Sequence, residues 1–324
     1  MIISMKLMRH LLLTALFLLV AAPAHAQLDS SFLGVQTELE ADPRFPKPGE
    51  MTTVSFSNFG KYYNADVIWR LNGEVVADAS NKREVKFVAG DIGETDVITA
   101  TIVSGSGRTQ VFAAEIVPTY IDIVLEPQTR VPDFYEGRAL PSVGSQVNAT
   151  VLVNNGTLHT GDYIYTWIVD GQVLEGGPIR GTNQVSFETP RGSQPIVQVS
   201  VSDVQGRVIG NRAIYFETVK PEIVFYESNA LHGQSYNAIS DSLILVGSAA
   251  TLVAEPYYLD IRTYNNPDIS EWEVDNEGQE TSGSNPYHIT IQKVDEGNTS
   301  KVSFHVRSTY ELLQGAEDRI NIVY

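Results

Sequence analysis

The sequence predicts an all-β chain of three tandem β-sandwich domains behind an export signal. Three observations predict it. The three tryptophans sit in matching stretches about a hundred residues apart: IWRLNG (68–73), YTWIVDG (165–171) and SEWEVDNEG (270–278). Each follows a turn glycine, Gly49, Gly144 or Gly247, at separations of 20, 23 and 25 residues. Each precedes an alternating run that begins near Val97, Val197 or Val302, 28, 30 and 30 residues further on. Agreement in both directions marks a repeat of about 100 residues.

The elements follow in chain order. MIISMKLMRH carries Lys6 and Arg9, LLLTALFLLVAA is a short apolar run, and Ala24-His25-Ala26 is a small-x-small site. Together they read as a secretory signal peptide over 1–26, cleaved before Gln27. The run is shorter than the roughly 20 residues a membrane span needs. The other reading is an uncleaved anchor, the one route to a membrane that the sequence offers. The repeats then divide the chain into domains at 27–118, 119–219 and 220–324.

Within each repeat the strands alternate. In PIVQVSVSD, Val197, Val199 and Val201 share one face while Gln198, Ser200 and Ser202 share the other. In SKVSFHVRS, Val302, Phe304 and Val306 do the same against Ser303, His305 and Arg307. Period two with one polar face is an antiparallel strand lying on a core. Asn72-Gly73, Asp170-Gly171 and Gln205-Gly206 punctuate the strands as turns. No amphipathic helix follows residue 27. Many short strands with frequent turns indicate an immunoglobulin-like sandwich. There, a Trp on the third strand fills the space between the sheets, so Trp69, Trp167 and Trp272 are the expected structural core. The alternative role for these rings is sugar stacking.

Only Pro118-Thr119 and Lys220-Pro221 separate the last strand of one repeat from the first of the next. Such short, proline-stiffened links predict a semi-rigid rod.

The Y-x-W-x-V-D-G stretch and its spacing resemble PKD (PKD-like) and other bacterial Ig-like domains, without the Gly-Asp-Gly that PKD repeats usually carry after the Trp. KPGE ahead of TTVSFSN resembles a common opening of such repeats. VPDFYEGRALPSVGS (131–145), PEIVFYE (221–227) and AEPYY (254–258) resemble a family of exported three-domain Ig-like proteins of candidate-phylum bacteria. The resemblance covers nearly all the chain after the leader. It implies a role at the cell surface or in type IV pilus-associated assembly, with envelope or pilus proteins as partners, and it carries over no functional residues.

Composition narrows the chemistry. The formal charge is −17, and loss of Lys6 and Arg9 with the leader makes it more negative. Such a chain repels phosphate backbones and anionic membranes, which argues against nucleic-acid binding. There is no cysteine, so no disulfides, thiol catalysis or thiolate metal sites arise, and the cores must suffice alone. His159, His232, His288 and His305 fit no zinc spacing. No G-x-S-x-G elbow occurs, and the G-x-G in VSGSGR (103–108) precedes a strand, not a helix. An enzyme is therefore not expected. Asp268, Asp275, Glu277 and Asp295 are hard-oxygen candidates for calcium around the third repeat. The competing reading is that these Asn- and Asp-rich stretches simply make turns. The expected function is an exported, non-enzymatic structural or adhesive module of the cell envelope, periplasmic, surface-bound or extracellular. A carbohydrate-binding accessory protein using Tyr62-Tyr63 or Tyr257-Tyr258 is the alternative.

Overall fold

The structure, a computed structural model, describes residues 38–324 except 157, 158, 230, 282 and 294–296. The expected leader lies outside the described residues. The regular structure is nearly all strand, arranged as tandem β-sandwiches.

The first repeat contributes β1 (Leu39–Asp42), β2 (Met51–Phe56), β3 (Asp66–Leu71), β4 (Glu74–Val75), β5 (Glu84–Val88), β6 (Asp96–Val103) and β7 (Thr109–Ile116). They form sheets ordered β1-β2-β5 and β4-β3-β6-β7. The second contributes β8 (Tyr120–Pro127), β9 (Gln146–Asn154), β10 (Ile164–Val169), β11 (Gln172–Val173), β12 (Ile179–Arg180), β13 (Gln184–Glu188), β14 (Ile196–Ser202) and β15 (Val208–Tyr215). Its sheets are β13-β9-β8 and β11-β10-β14-β15, with β12 also on β10.

The third contributes β16 (Glu222–Asn229), β17 (Gly233–Ile239), β18 (Ser242–Ile244), β19 (Ala249–Tyr257), β20 (Ile269–Val274), β21 (Glu277–Gln279), β22 (His288–Gln292), β23 (Thr299–Arg307) and β24 (Gly315–Val323). A single helical turn, α1 (Ile261–Asn265), follows β19. The sheets are β17-β16-β19-β22 and β18-β24-β23-β20-β21. Two of these strands have no counterpart earlier among the described residues. β17 folds back on β16 with a bulge between Tyr226 and Ser228, and β18 runs parallel to β24.

The repeat is visible in the register. Trp69 lies opposite Ala100, Trp167 opposite Val199 and Trp272 opposite Phe304, each in the central pair of its sheet. All three rings are buried. After the first two, Asn72-Gly73 and Asp170-Gly171 both take positive φ at both positions, as the right-handed twist of a two-residue hairpin requires. After the third, Asp275 (φ 53°) and Asn276 (φ 67°) make the same turn without glycine, which Asp and Asn tolerate. Gly49 and Gly144 are left-handed and donate to Ala89 O and Thr189 O, whereas Gly247 is not left-handed.

Cα packing groups the described residues into two compact units. One holds 38–40, 54–85 and 98–114; the other holds 41–53, 86–97 and 115–324. In the first, Trp69 meets Phe56 at 5.2 Å and donates its indole N–H to Lys82 O (2.9 Å). In the second, two separate cores form. One gathers Val147, Val151, Tyr163, Tyr165, Trp167 and the ladder Val197, Val199 and Val201. The other gathers Phe225, Leu252, Trp272, Tyr287, Phe304 and Ile320.

One sequence expectation needs correction. The second connection is longer than Lys220-Pro221, because β15 stops at Tyr215 and β16 starts at Glu222. Phe216 turns onto the second core and its amide donates to Pro195 O, while Val219 bridges Ser142 in parallel. These contacts divert the chain from β15.

Candidate functional site

The three stretches that carry the family resemblance are brought together in one place. Beyond β8, residues 128–130 run against 258–261 beyond β19. Arg130 N donates to Leu259 O (2.7 Å), Tyr258 N to Arg130 O (2.7 Å) and Ile261 N to Gln128 O (3.0 Å). This joins the second and third sandwiches through their backbones.

Side chains complete the joint. Asp260 is 1% exposed and caps α1 through Oδ1, which accepts from Arg262 N (2.7 Å), while its Oδ2 accepts from Gln146 N (2.7 Å). Gln314 is 0% exposed. Its Oε1 accepts from Asp260 N (2.8 Å), and its Nε2 donates to Ser142 Oγ (2.9 Å) and Val143 O (2.7 Å). Ser142 Oγ in turn donates to Tyr258 O (2.7 Å). A buried polar network with its members bonded fixes one geometry, since any other leaves donors stranded.

One ion pair sits beside it. Arg130 Nη2 lies 2.7 Å from Glu255 Oε1, and the Arg130 guanidinium stacks over the Tyr264 ring at 4.9 Å. Burial pushes the Glu255 carboxyl above its ordinary range, and Arg130 pulls against that rise. Burial works most strongly against the Arg130 charge, but Glu255, Tyr264 and Asp133 together outweigh it and raise the guanidinium further.

Over this joint lies an aromatic strap. The connection from Pro127 to Gln146 is much longer than the equivalent one from Asp42 to Met51. It lays Val131, Phe134 and Tyr135 against Val224, Tyr226, Val253, Tyr257 and Tyr258, on the sheet face turned away from the third core. Phe134 meets Tyr226 edge-on at 5.3 Å and Tyr135 meets Tyr257 at 5.4 Å. The hydroxyls pair as Tyr135 with Tyr258 (3.0 Å) and Tyr226 with Tyr257 (2.7 Å). Burial pushes the Tyr258 phenol up to about 12 and raises Tyr257 as well. Gly137 is required here, because a Cβ would sit 2.5 Å from the Tyr135 ring. At the outer edge, Phe134 meets Tyr236 of β17 at 4.8 Å, and Tyr236 is 74% exposed.

Among the described residues, the calcium candidates Asp268, Asp275 and Glu277 form no metal cage. Asp268 Oδ2 accepts from Thr309 N (2.7 Å) and Ser308 Oγ (3.2 Å), and Asp275 Oδ1 accepts from Lys301 N (2.8 Å). Glu277 opens the exposed strand β21, and Asp295 lies outside the described residues. Among the described residues no group of three His, Asp or Glu comes together as a metal cage. Of the tyrosine pairs, Tyr257 is buried in the strap cluster, Tyr62 donates to Gln110 Oε1 (2.6 Å), and Tyr63 is 73% exposed.

A cleft of about 760 Å³ opens near Arg44, Phe45, Glu115, Asp162, Arg180 and Arg207. Its wall also includes buried Asp203, held by the amides of Gln205 and Arg207 and by the Arg207 guanidinium. Three arginines face three carboxylates, so the cleft presents no dominant charge. Among the described residues no helix is long and apolar enough to cross a membrane.

No protein-family model and no curated protein matches the chain. Solved structures similar to it include the fibronectin(III)-like modules of Clostridium thermocellum CbhA, at 12% identity and TM-score 0.26, covering 56% of this chain and 93% of that one. The central fibronectin-III array of RIM-binding protein is similar at 12% identity and TM-score 0.28, over 89% and 96% of the two chains. Bacteroides ovatus SGBP-B, solved with a mixed-linkage heptasaccharide, is similar at 9% identity and TM-score 0.24, over 89% and 66%. The described residues form tandem β-sandwiches, whose sheets hold three and four, three and five, and four and five strands in the successive repeats.

Proposed function

We propose that the chain is an exported, non-enzymatic structural or adhesive module of a bacterial cell envelope, built as three domains at 27–118, 119–219 and 220–324. Pilus-associated assembly is the setting that the family resemblance implies. The observation that supports the reading is the buried Gln314–Ser142–Asp260 network, which ties two sandwiches into a fixed arrangement. A presenting or spacing module needs a fixed arrangement. The test is expression with the native leader in a bacterial host, followed by fractionation and N-terminal sequencing. Recovery outside the cytoplasm, with a new terminus near Gln27, is the expected result. An intact Met1 in a strictly cytoplasmic pool overturns the reading.

The carbohydrate-binding reading is favoured by one observation. An aromatic ring with a free face is held at the outer edge of the strap, at Tyr236.

A further inference from the structure

We infer that Tyr236 and Phe134 form a stacking platform for a neutral sugar ring, an inference that deepens the carbohydrate-binding reading and rests on it. Among the described residues, the first two repeats show no strand like β17, and the first shows no strap. The two additions are separated by about a hundred residues, yet they meet at a single pair of rings. Neither addition contributes Phe134 or Tyr236 to the third core.

The bulge in β17 explains how Tyr236 gets there. Between Tyr226–Ala238 and Ser228–Gln234 the register slips, and Tyr236 lies in the slipped segment. Bulges re-aim a side chain out of the regular pleat. The re-aimed ring lies at 30° to Phe134, which is itself braced edge-on by Tyr226, whose hydroxyl is bonded to Tyr257. The platform is therefore rigid, so little side-chain entropy is lost when its free face is covered.

The chemistry of the surroundings selects the ligand. One flat ring face, without a cage of rings around a point, fits the flat C–H face of a pyranose, whose hydrogens meet the electron-rich ring face. From Gly233 to Ser240 the strand carries no charge, and its Gln, Ser and Asn side chains, with the carboxylates of Asp133 next to Phe134 and Glu227 opposite the slipped segment, are groups suited to hydroxyls. On a chain of charge −17, an acidic glycan is repelled.

Binding of the whole chain to arrayed neutral oligosaccharides, followed by titration calorimetry on the best, tests this. Y236A is expected to weaken binding about tenfold or more, and Y236F to stay within about threefold. Y215A removes an equally exposed ring elsewhere, 72% exposed, and is expected to change nothing. Thermal melting of Y236A at the wild-type temperature establishes that the fold is intact. If wild type binds no neutral glycan, both the platform and the carbohydrate reading fail. Glycan binding that survives Y236A overturns the platform and leaves the reading standing. Salt-sensitive binding of a lysine-rich peptide, lost in Y236A, overturns the ligand class.

Discussion

The second and third sandwiches put the same tryptophan in the same register and surround it differently. Trp272 lies among rings, 4.6 Å from Phe304 and 6.0 Å from Phe225, and donates its indole N–H to Pro286 O (2.9 Å). Trp167 lies against the aliphatic ladder Val197, Val199 and Val201, and its N–H finds no hydrogen-bond partner among the described residues. The first sandwich resembles the third, with Trp69 donating to Lys82 O. The carbonyls of Lys82 and Pro286 both lie in the segment that leads into the strand after the hairpin. In the second repeat that segment holds β12, whose backbone pairs with β10 instead. An extra strand pair has taken the place of an indole hydrogen bond. The ring is thus retained for its volume, and its polar handle is secondary.

The largest expected effects test that claim. Trp167→Ala and Trp272→Ala are each expected to lower stability in urea by about 3–5 kcal/mol, because each empties the centre of a core. A much smaller loss at Trp167 means that volume is not what the two sites share. Next comes the ion pair that Glu255 of the third sandwich receives from Arg130 of its neighbour. Arg130→Met leaves Glu255 buried without its partner and is expected to cost about 3 kcal/mol. Pairing it with Glu255→Leu is expected to restore most of the urea midpoint.

A finer cut is Trp→Phe at each site. Both variants lose similar volume, but at 272 the Pro286 carbonyl is stranded, whereas at 167 an unbonded donor disappears. Trp272→Phe is therefore expected to cost about 1–2 kcal/mol more than Trp167→Phe. Equal losses break the comparison.

The smallest effect is in acid. The Thr309 amide holds Asp268, and the Lys301 amide holds Asp275, below the ordinary carboxylate range. A lowered folded value means that their contribution is present above about pH 4 and is lost as pH falls through it. Glu255 has the opposite sign. Its raised value gives a contribution present at low pH and lost as pH rises through that value. Urea midpoints between pH 7 and 3 are expected to fall less in the Asp268→Asn, Asp275→Asn double variant than in wild type. An unchanged acid slope rules out these carboxylates as its source.

The strands that alternate were legible in the sequence because one face is buried and the other is wet. Val197–Ser202 and Val302–Arg307 are the clearest cases. β17 was not legible: GQSYNAI does not alternate, and its pairing is bulged. Nor was β18, whose short parallel pairing with β24 leaves no period to read. The joint was hidden for another reason. Gln314 is an uncharged residue in the loop STYELLQ, and nothing local announces a partner at Ser142. A signal for the strap did exist. The aromatic doublets Phe134-Tyr135, Phe225-Tyr226 and Tyr257-Tyr258 fall in the three stretches singled out for resemblance. In Phe225-Tyr226 the two rings take opposite faces of a strand, one in the third core and one in the strap cluster, and in the other two doublets both rings join the strap cluster.

The joint also imposes an order in time. Ser142 and the strap leave the ribosome, or any export channel, long before Gln314 does. The second core has all its strands once Tyr215 has emerged, but Phe134 and Tyr135 then have nothing to cover. They must wait for β16 and β19, and Ser142 must wait for nearly the whole of the third sandwich. In that interval a patch of aromatic side chains is open to water and to neighbouring chains, the stage at which aggregation competes with folding. Slow delivery of the last hundred residues lengthens that exposure, so chaperone dependence should fall on chains that have reached the second sandwich and not yet finished the third.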